Sequence, residues 1–231
     1  MRKHVRSQKL NIIRQNKITS FNQSIGFGHT MKGNTSSGAY AQLDKVSVTG
    51  GIYNIYNILA VYATLETTGV NLDEFVRVLG ENKPQTGRME QIDLGKPFIL
   101  NLAKNPAGFN QAIQTVMLDK RKKDVILAMN ATANDGKDLS WLWDTEFDKL
   151  HDETLNQLYL SGVRRHDLAL RFKYADIPVT KICDTMEDAL HACLNTDAEV
   201  CYVLVNYSML FPTQSTMLKL KESLNPGGES K

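Results

Sequence analysis

Cysteine is scarce in this chain of 231 residues: Cys183, Cys193 and Cys201 are the only three, and none stands in CxxC spacing. An odd, sparse set argues against a disulfide framework or a cysteine-built zinc cluster, and for buried, reduced thiols in a cytosol. No apolar run approaches the roughly 18 residues of a membrane-spanning helix. The basic start, Met1-Arg2-Lys3-His4, is followed by no apolar stretch, so no secretory signal is expected. No GxxxxGK[ST] phosphate loop occurs anywhere. No His-Cys-Asp triad or metal-ligand spacing can be assembled either; His29 and His151 sit in polar stretches without a nameable partner, and no residue is assigned to a metal.

Acid is missing from the first forty residues, where seven Lys and Arg (Arg2, Lys3, Arg6, Lys9, Arg14, Lys17, Lys32) precede the first carboxylate, Asp44. The remaining chain carries 20 basic and 25 acidic residues (27 less 7, against 25), so it is mildly acidic. A basic leader of this kind reads as a solvated segment. Contact with nucleic acid or anionic lipid is the rival, but the stacking aromatics of an RNA binder are absent. Thr19–Gly38, rich in Gly, Ser, Thr and Asn, reads as loops between short strands.

What is present is a 42% hydrophobic, evenly charged chain with the mass for a substantial core. Val46–Val48 reads as the end of a strand. Ile52, Ile55, Tyr56, Leu59 and Ala63 fall at helical spacing to about Thr67, and Gly69 stops that helix. Asn71 or Asp73 caps a shorter helix that Gly80 ends. Residues 81–91 read as a linker dividing 1–80 from 92–231. Beyond it, strand and helix alternate. Pro97–Leu102 is a strand, and Asn105-Pro106 opens a helix through Phe109, Ile113 and Met117. Lys120–Asp124 is a charged turn before the strand Val125–Met129. Leu158–Leu160, Lys181–Cys183 and Val200–Val205 are further strands, followed by helices around His166–Phe172, Met186–Cys193 and Thr216–Ser223. Five strands alternating with helices predict an α/β domain with a parallel sheet, Rossmann-like, whose functional residues gather at the carboxyl ends of the strands.

Three clusters stand at such ends. Lys104-Asn105-Pro106 starts a helix, and a helix N-terminus beside a lysine suits phosphate, though an Asn-Pro cap is also ordinary punctuation. Residues 130–144 hold Asp135, Asp138 and Asp144, Asn130 and Asn134, and both tryptophans, Trp141 and Trp143. So many polar groups at one strand end point to a ligand or partner; the alternative is an Asp-Gly turn whose tryptophans fill the core. Gly162-Val-Arg164-Arg165-His166-Asp167 is the third, with His166 read as a hydrogen-bonded helix residue rather than a base.

These residues resemble a family. Gly51-Ile-Tyr-Asn54-Ile-Tyr-Asn57-Ile-Leu-Ala60 is similar to the GxYNxYNxLAA helix that closes the central domain of Mur ligases, and Gly87-Arg88-Met-Glu90 to the GRxE linker into their C-terminal domain. Lys104-Asn-Pro-Ala-Gly-Phe-Asn110-Gln111, the stretch Asp135–Asp144 and the stretch Ser161–Ala175 resemble the MurT-type members, the ligase-like subunits of lipid II isoglutaminyl synthases. The likeness covers about residues 46 to 222. It implies a Rossmann-like C-terminal Mur ligase domain preceded by a remnant of the central domain.

The implied activity is ATP- and Mg²⁺-dependent amidation of the D-glutamate α-carboxylate of lipid II in peptidoglycan synthesis. Ammonia comes from a GatD-like glutamine amidotransferase subunit, in a cytoplasmic heterodimer at the inner face of the membrane. The family lends an aspartate to the Cys–His pair of its glutaminase, and Asp144, Asp138 and Asp135 are the candidates, Asp144 preferred for the Trp-x-Trp before it. Asn54, Asn57, Arg88, Lys104 and Asn105 match nucleotide-side positions. The phosphate loop and the four-cysteine zinc ribbon of the family are missing from this sequence. The alternative is therefore a docking module that lends the acid without binding ATP.

Overall fold

A computed structural model describes residues 27–34, 40–48, 57–58, 61–62, 64–65, 68–69, 71–81, 85–136 and 138–224, and the chain divides into two compact units, residues 1–83 and 84–231. In the first unit, β1 (Phe27–Asn34) and β2 (Tyr40–Val48) form an antiparallel pair whose register slips between His29 and Met31. The described residues between 57 and 68 are helical, as the apolar spacing predicts, and Gly69 follows with a positive φ of 74°. Helix α1 (Leu72–Glu81) continues through Gly80, the expected stop. Glycine weakens a helix by only about 1 kcal/mol, which one more turn of backbone bonds can outweigh. Residues 1–26, including most of the basic leader, and 51–56, including Asn54, lie outside the described residues.

The second unit is a six-stranded sheet in the order β3-β4-β8-β5-β6-β7. Its strands are β3 (Glu90–Asp93), β4 (Pro97–Leu102), β5 (Lys123–Ala128), β6 (Leu155–Ser161), β7 (Lys181–Ile182) and β8 (Val200–Val205). The five predicted strands pair in parallel. β3, which begins inside the expected linker, adds an antiparallel edge. Helices α2 (Pro106–Leu118) and α3 (Arg165–Tyr174) cover one face. Helices α4 (Met186–Leu194) and α5 (Tyr207–Leu224) cover the other. Strands β5 and β8 lie at the centre and every one of their residues is buried. Such two-sided burial explains why Val125–Ala128 and Val200–Val205 read as unbroken apolar runs. Cys183, Cys193 and Cys201 are free and buried, and burial pushes the Cys183 and Cys201 thiols upward.

At the amino end of the sheet the charged turn expected at Lys120–Asp124 is instead partly strand. Lys123 and Asp124 open β5 and are buried. The Lys123 ammonium donates to the Asp119 carbonyl and the Thr154 hydroxyl. The Asp124 carboxylate accepts from Asn156 Nδ2 at 2.9 Å and from the Thr196 hydroxyl, and lies 3.5 Å from Lys96 Nζ. Buried charge is tolerated because each group has partners, which a one-dimensional pattern does not reveal.

At the carboxyl end, α5 begins nine residues before the expected Thr216, running through Pro212. Its N-terminus is covered from a distance. The Asp135 carboxylate, from the loop after β5, accepts Ser208 N at 3.0 Å and the Ser208 hydroxyl, besides Thr132 N at 3.1 Å and Thr132 Oγ1 at 2.7 Å. This is helix capping by a residue remote in sequence. Gly162, just past β6, has φ +84°, and a Cβ there would stand 2.4 Å from the Met129 carbonyl oxygen. The bare backbone lets Arg164 N donate to that same oxygen at 2.9 Å.

Gly162→Ala combines left-handed backbone with a main-chain clash, and an unfolding titration should show a loss of about 2–4 kcal/mol. Asp135→Ala should cost about 1–2 kcal/mol, the usual range for a lost helix cap. Burial raises the Asp135 pKa, but the Ser208 and Thr132 hydrogen bonds outweigh it and the net direction is down. A carboxyl lowered on folding stabilises above its unfolded value of about 3.9 and loses that contribution as pH falls through the folded value. The stability gap between wild type and Asp135→Ala should therefore persist at neutral pH and close on titration below about pH 4.

Candidate functional site

The loop leaving β5 is locked before it carries anything. Asn130 N donates to Asn206 Oδ1 at 3.1 Å, Asn206 Nδ2 returns to the Asn130 carbonyl at 2.8 Å, and Val163 N donates to Asn130 Oδ1 at 3.0 Å. Two asparagines thus tie the ends of β5, β8 and β6 together. Here β5 feeds the face of α2 and α3, and β8 feeds the opposite face. Adjacent strands leaving to opposite faces open the crevice where α/β sheets hold ligands. In this molecule that crevice is occupied by its own amides and by Asp135. Asn206 is a site residue to which the sequence reading gave no role; its one signal is an amide directly after an apolar run.

The three aspartates differ in what they already hold. Asp135 is spent on α5 and its own turn. Asp138 is exposed and accepts Ser140 N at 2.8 Å and Ser140 Oγ at 3.0 Å, bonds that lower its pKa. Ser140 opens a 3-10 helix, Ser140–Asp144, that ends on the third acid. Asp144 is exposed and makes no hydrogen bond or ion pair to the described residues. It is the acid left over.

The tryptophans of that 3-10 helix part company. Trp141 stacks on Phe109 of α2, ring centroids 5.6 Å apart, and Leu142 enters the core. Trp143 is 52% exposed and meets Tyr174, itself 70% exposed, edge to face at 5.4 Å. Leu170, one turn before Tyr174 on α3, is also exposed. A second 3-10 helix, Phe147–Leu150, returns the chain to the core. Of the two indoles, Trp141 therefore packs against the core, as the core-filling alternative expects, and Trp143 does not.

The nucleotide-side candidates of this unit gather at the carboxyl end of β4. Gly87, at φ +69°, accepts Leu102 N on its carbonyl at 2.8 Å, and its own N–H donates to Glu90 Oε2 at 3.0 Å. The other Glu90 oxygen accepts Gln214 Nε2 of α5 at 2.6 Å. Gly87 and Glu90 therefore build a closed turn against the sheet, and Arg88 at its tip is exposed. Asn105 caps α2, accepting Gly108 N at 2.8 Å, and Lys104 beside it is exposed. An exposed lysine beside a helix start, with Arg88 exposed on the turn bonded to the end of β4, suits an anionic phosphate. Asn57 is an exposed helical residue of the first unit; Asn54 lies outside the described residues. His166 is exposed at the start of α3. Among the described residues no three His, Cys, Asp or Glu side chains come together as a metal set, and no helix is long and apolar enough to cross a membrane.

Comparison with known proteins gives this arrangement its relatives. Residues 102–210 match the family described as MurT ligase C-terminal. Over 164 residues the chain is 32% identical to the subunit MurT of lipid II isoglutaminyl synthase (glutamine-hydrolyzing) from Streptococcus pneumoniae, a match covering 70% of this chain and 37% of that protein. The same subunit from Staphylococcus aureus (strain COL) is 29% identical over 184 residues, covering 78% of this chain and 40% of its own length. The chain thus spans about two fifths of the length of the curated relatives it matches. A crystal structure of MurF from Acinetobacter baumannii shares the fold with a TM-score of 0.61 at 20% identity, over 84% of this chain and 43% of that one. By its matched residues and its sheet, this chain belongs to the Mur ligase family and carries a MurT-type C-terminal domain.

Proposed function

We propose that the chain is the C-terminal portion of a MurT-type subunit that amidates the D-glutamate α-carboxylate of lipid II with ammonia from a GatD-like glutaminase. We further propose that its α/β domain docks that glutaminase and lends it Asp144. The observation that carries this reading is the contrast among the acids: Asp135 and Asp138 are committed within the domain, while Asp144 is exposed and has no partner among the described residues. Beside it, Trp143, Tyr174 and Leu170 form an exposed apolar edge of the kind that seats a partner.

The chemistry follows from two needs. A glutaminase Cys–His pair works when the imidazole is held in one tautomer and its cation is stabilised, and an aspartate on the far nitrogen does both. The lipid II carboxylate is a poor electrophile; ATP with Mg²⁺, when bound, supplies the phosphoryl group that activates it for attack by ammonia. Lys104 and Arg88 would meet the phosphates from this side, as cations facing developing negative charge. A lipid-anchored substrate would keep the complex at the inner face of the cell membrane.

A second reading is a docking module that lends the acid but holds no ATP; Asn105 already takes Gly108 N, one of the donors a phosphate at the start of α2 would use.

Asp144→Asn should leave the complex with the glutaminase intact on size exclusion and lower glutaminase turnover by about 10³–10⁴-fold, as loss of the orienting acid does in such constellations. Asp138→Asn should leave turnover within about twofold. The opposite pattern assigns the role to Asp138. Calorimetry with ATP separates the two readings: binding that weakens about tenfold in Lys104→Ala supports the ligase, and no heat at millimolar nucleotide leaves the docking module.

A further inference from the structure

Asp144 ends a 3-10 helix of five residues, an element with poor hydrogen-bond geometry that rarely holds a shape alone. Its closing backbone bond, Thr145 N to the Leu142 carbonyl, is long at 3.4 Å. The Asp144 carboxylate has no partner of its own among the described residues, so its place is inherited from the backbone that carries it. Past Thr145 that backbone is tied to α2, where Asn110 Oδ1 accepts Glu146 N at 2.8 Å, and across Trp143 and Asp144 it is held from α3 by Arg171. Arg171 Nε donates to the Leu142 carbonyl at 3.3 Å, and Arg171 Nη2 donates to the Thr145 carbonyl at 3.0 Å. Nη2 also donates to Asp148 Oδ2 at 2.7 Å, and Nη1 reaches Asp148 Oδ1 at 3.5 Å. The guanidinium carbon stands 5.7 Å from the centroid of the Trp143 ring, whose edge partner Tyr174 is on the same helix.

The cation is buried, its side chain 8% exposed, while its counter-ion Asp148 is 60% exposed. A pair so lopsided contributes little stability, since desolvation of the cation offsets much of the attraction. What it does supply is direction: a planar fork whose donors reach the carbonyls on either side of Trp143 and Asp144, a geometry lysine does not reproduce. We propose that Arg171 is the positioning residue for the lent acid, clamping the Trp143-Asp144 backbone to α3 and so setting where the Asp144 carboxylate stands against the glutaminase imidazole. This rests on the docking reading above. An orienting acid must be held within about 0.5 Å of its productive place, and a misplacement of about 1 Å costs about 10²-fold in rate.

The test uses the reconstituted complex with its glutaminase and three variants. Arg171→Lys is expected to co-elute with the glutaminase and to keep its glutamine KM within about twofold, while glutaminase kcat falls about 10–100-fold. Asp148→Asn, which leaves both carbonyl contacts, is expected to lower kcat by about three- to fivefold at unchanged KM. A role in stability alone would instead move complex formation or the melting temperature with kcat of the assembled complex intact. Folded Arg171→Lys with wild-type kcat overturns the proposal; should that variant not fold, Asp148→Asn decides, and an unchanged kcat overturns it. Asp144→Asn separates the two levels. Full activity there removes the assignment of the lent acid to Asp144, on which the positioning role rests, whereas lost activity there with silent Arg171→Lys and Asp148→Asn removes only the positioning role.

Discussion

The second unit depends on the complete burial of its two central strands. β5 and β8 carry helices or 3-10 turns on both faces, so no polar group along them meets water. The chain can place polar chemistry only where these strands stop. At the amino end that chemistry is structural: an ammonium and a carboxylate, Lys123 and Asp124, each satisfied by neighbours from other elements. At the carboxyl end the Asn130–Asn206 exchange closes the gap between the same two strands. Everything proposed for function stands on that closed end, because it gives the following loop a fixed point of departure.

From there the polar groups divide by what they already hold. Asp135 gives its charge to the start of α5 and Asp138 to the start of a 3-10 helix. Asp144 gives its charge to nothing within the described residues. The aromatic residues divide in the same way: Trp141 is spent on Phe109, and Trp143 remains outside on Tyr174 and Arg171. An exposed acid beside an exposed indole, both fixed to a helix of the core, is the arrangement a second protein can use.

Where structure follows from near neighbours, the sequence was enough. The bounds of β4 and β8 are those of the apolar runs Pro97–Leu102 and Val200–Val205, and Asn105 caps α2 as its place before Pro106 requires. Where structure follows from distant partners, it was not. The buried charges of β5 read as a turn because their partners are Thr154, Asn156 and Thr196. β3 was missed because a four-residue edge with one buried side chain leaves no periodicity to detect. The candidate acids were visible as a cluster, but the hydrogen bonds that distinguish them come from Ser208, Thr132 and Ser140, and only the last two are local.

The remote cap of α5 also carries an entropic cost. Asn206, just before this 18-residue helix, spends its side-chain oxygen on Asn130 N instead of a local cap, and Pro212 removes a backbone donor in the helix's second turn. Helix nucleation is unfavourable without such local support. The carboxylate that completes the head comes from 73 positions upstream. The head of α5 is thus completed by a contact of long sequence separation, the kind whose loop-closure entropy must be met before it stabilises anything.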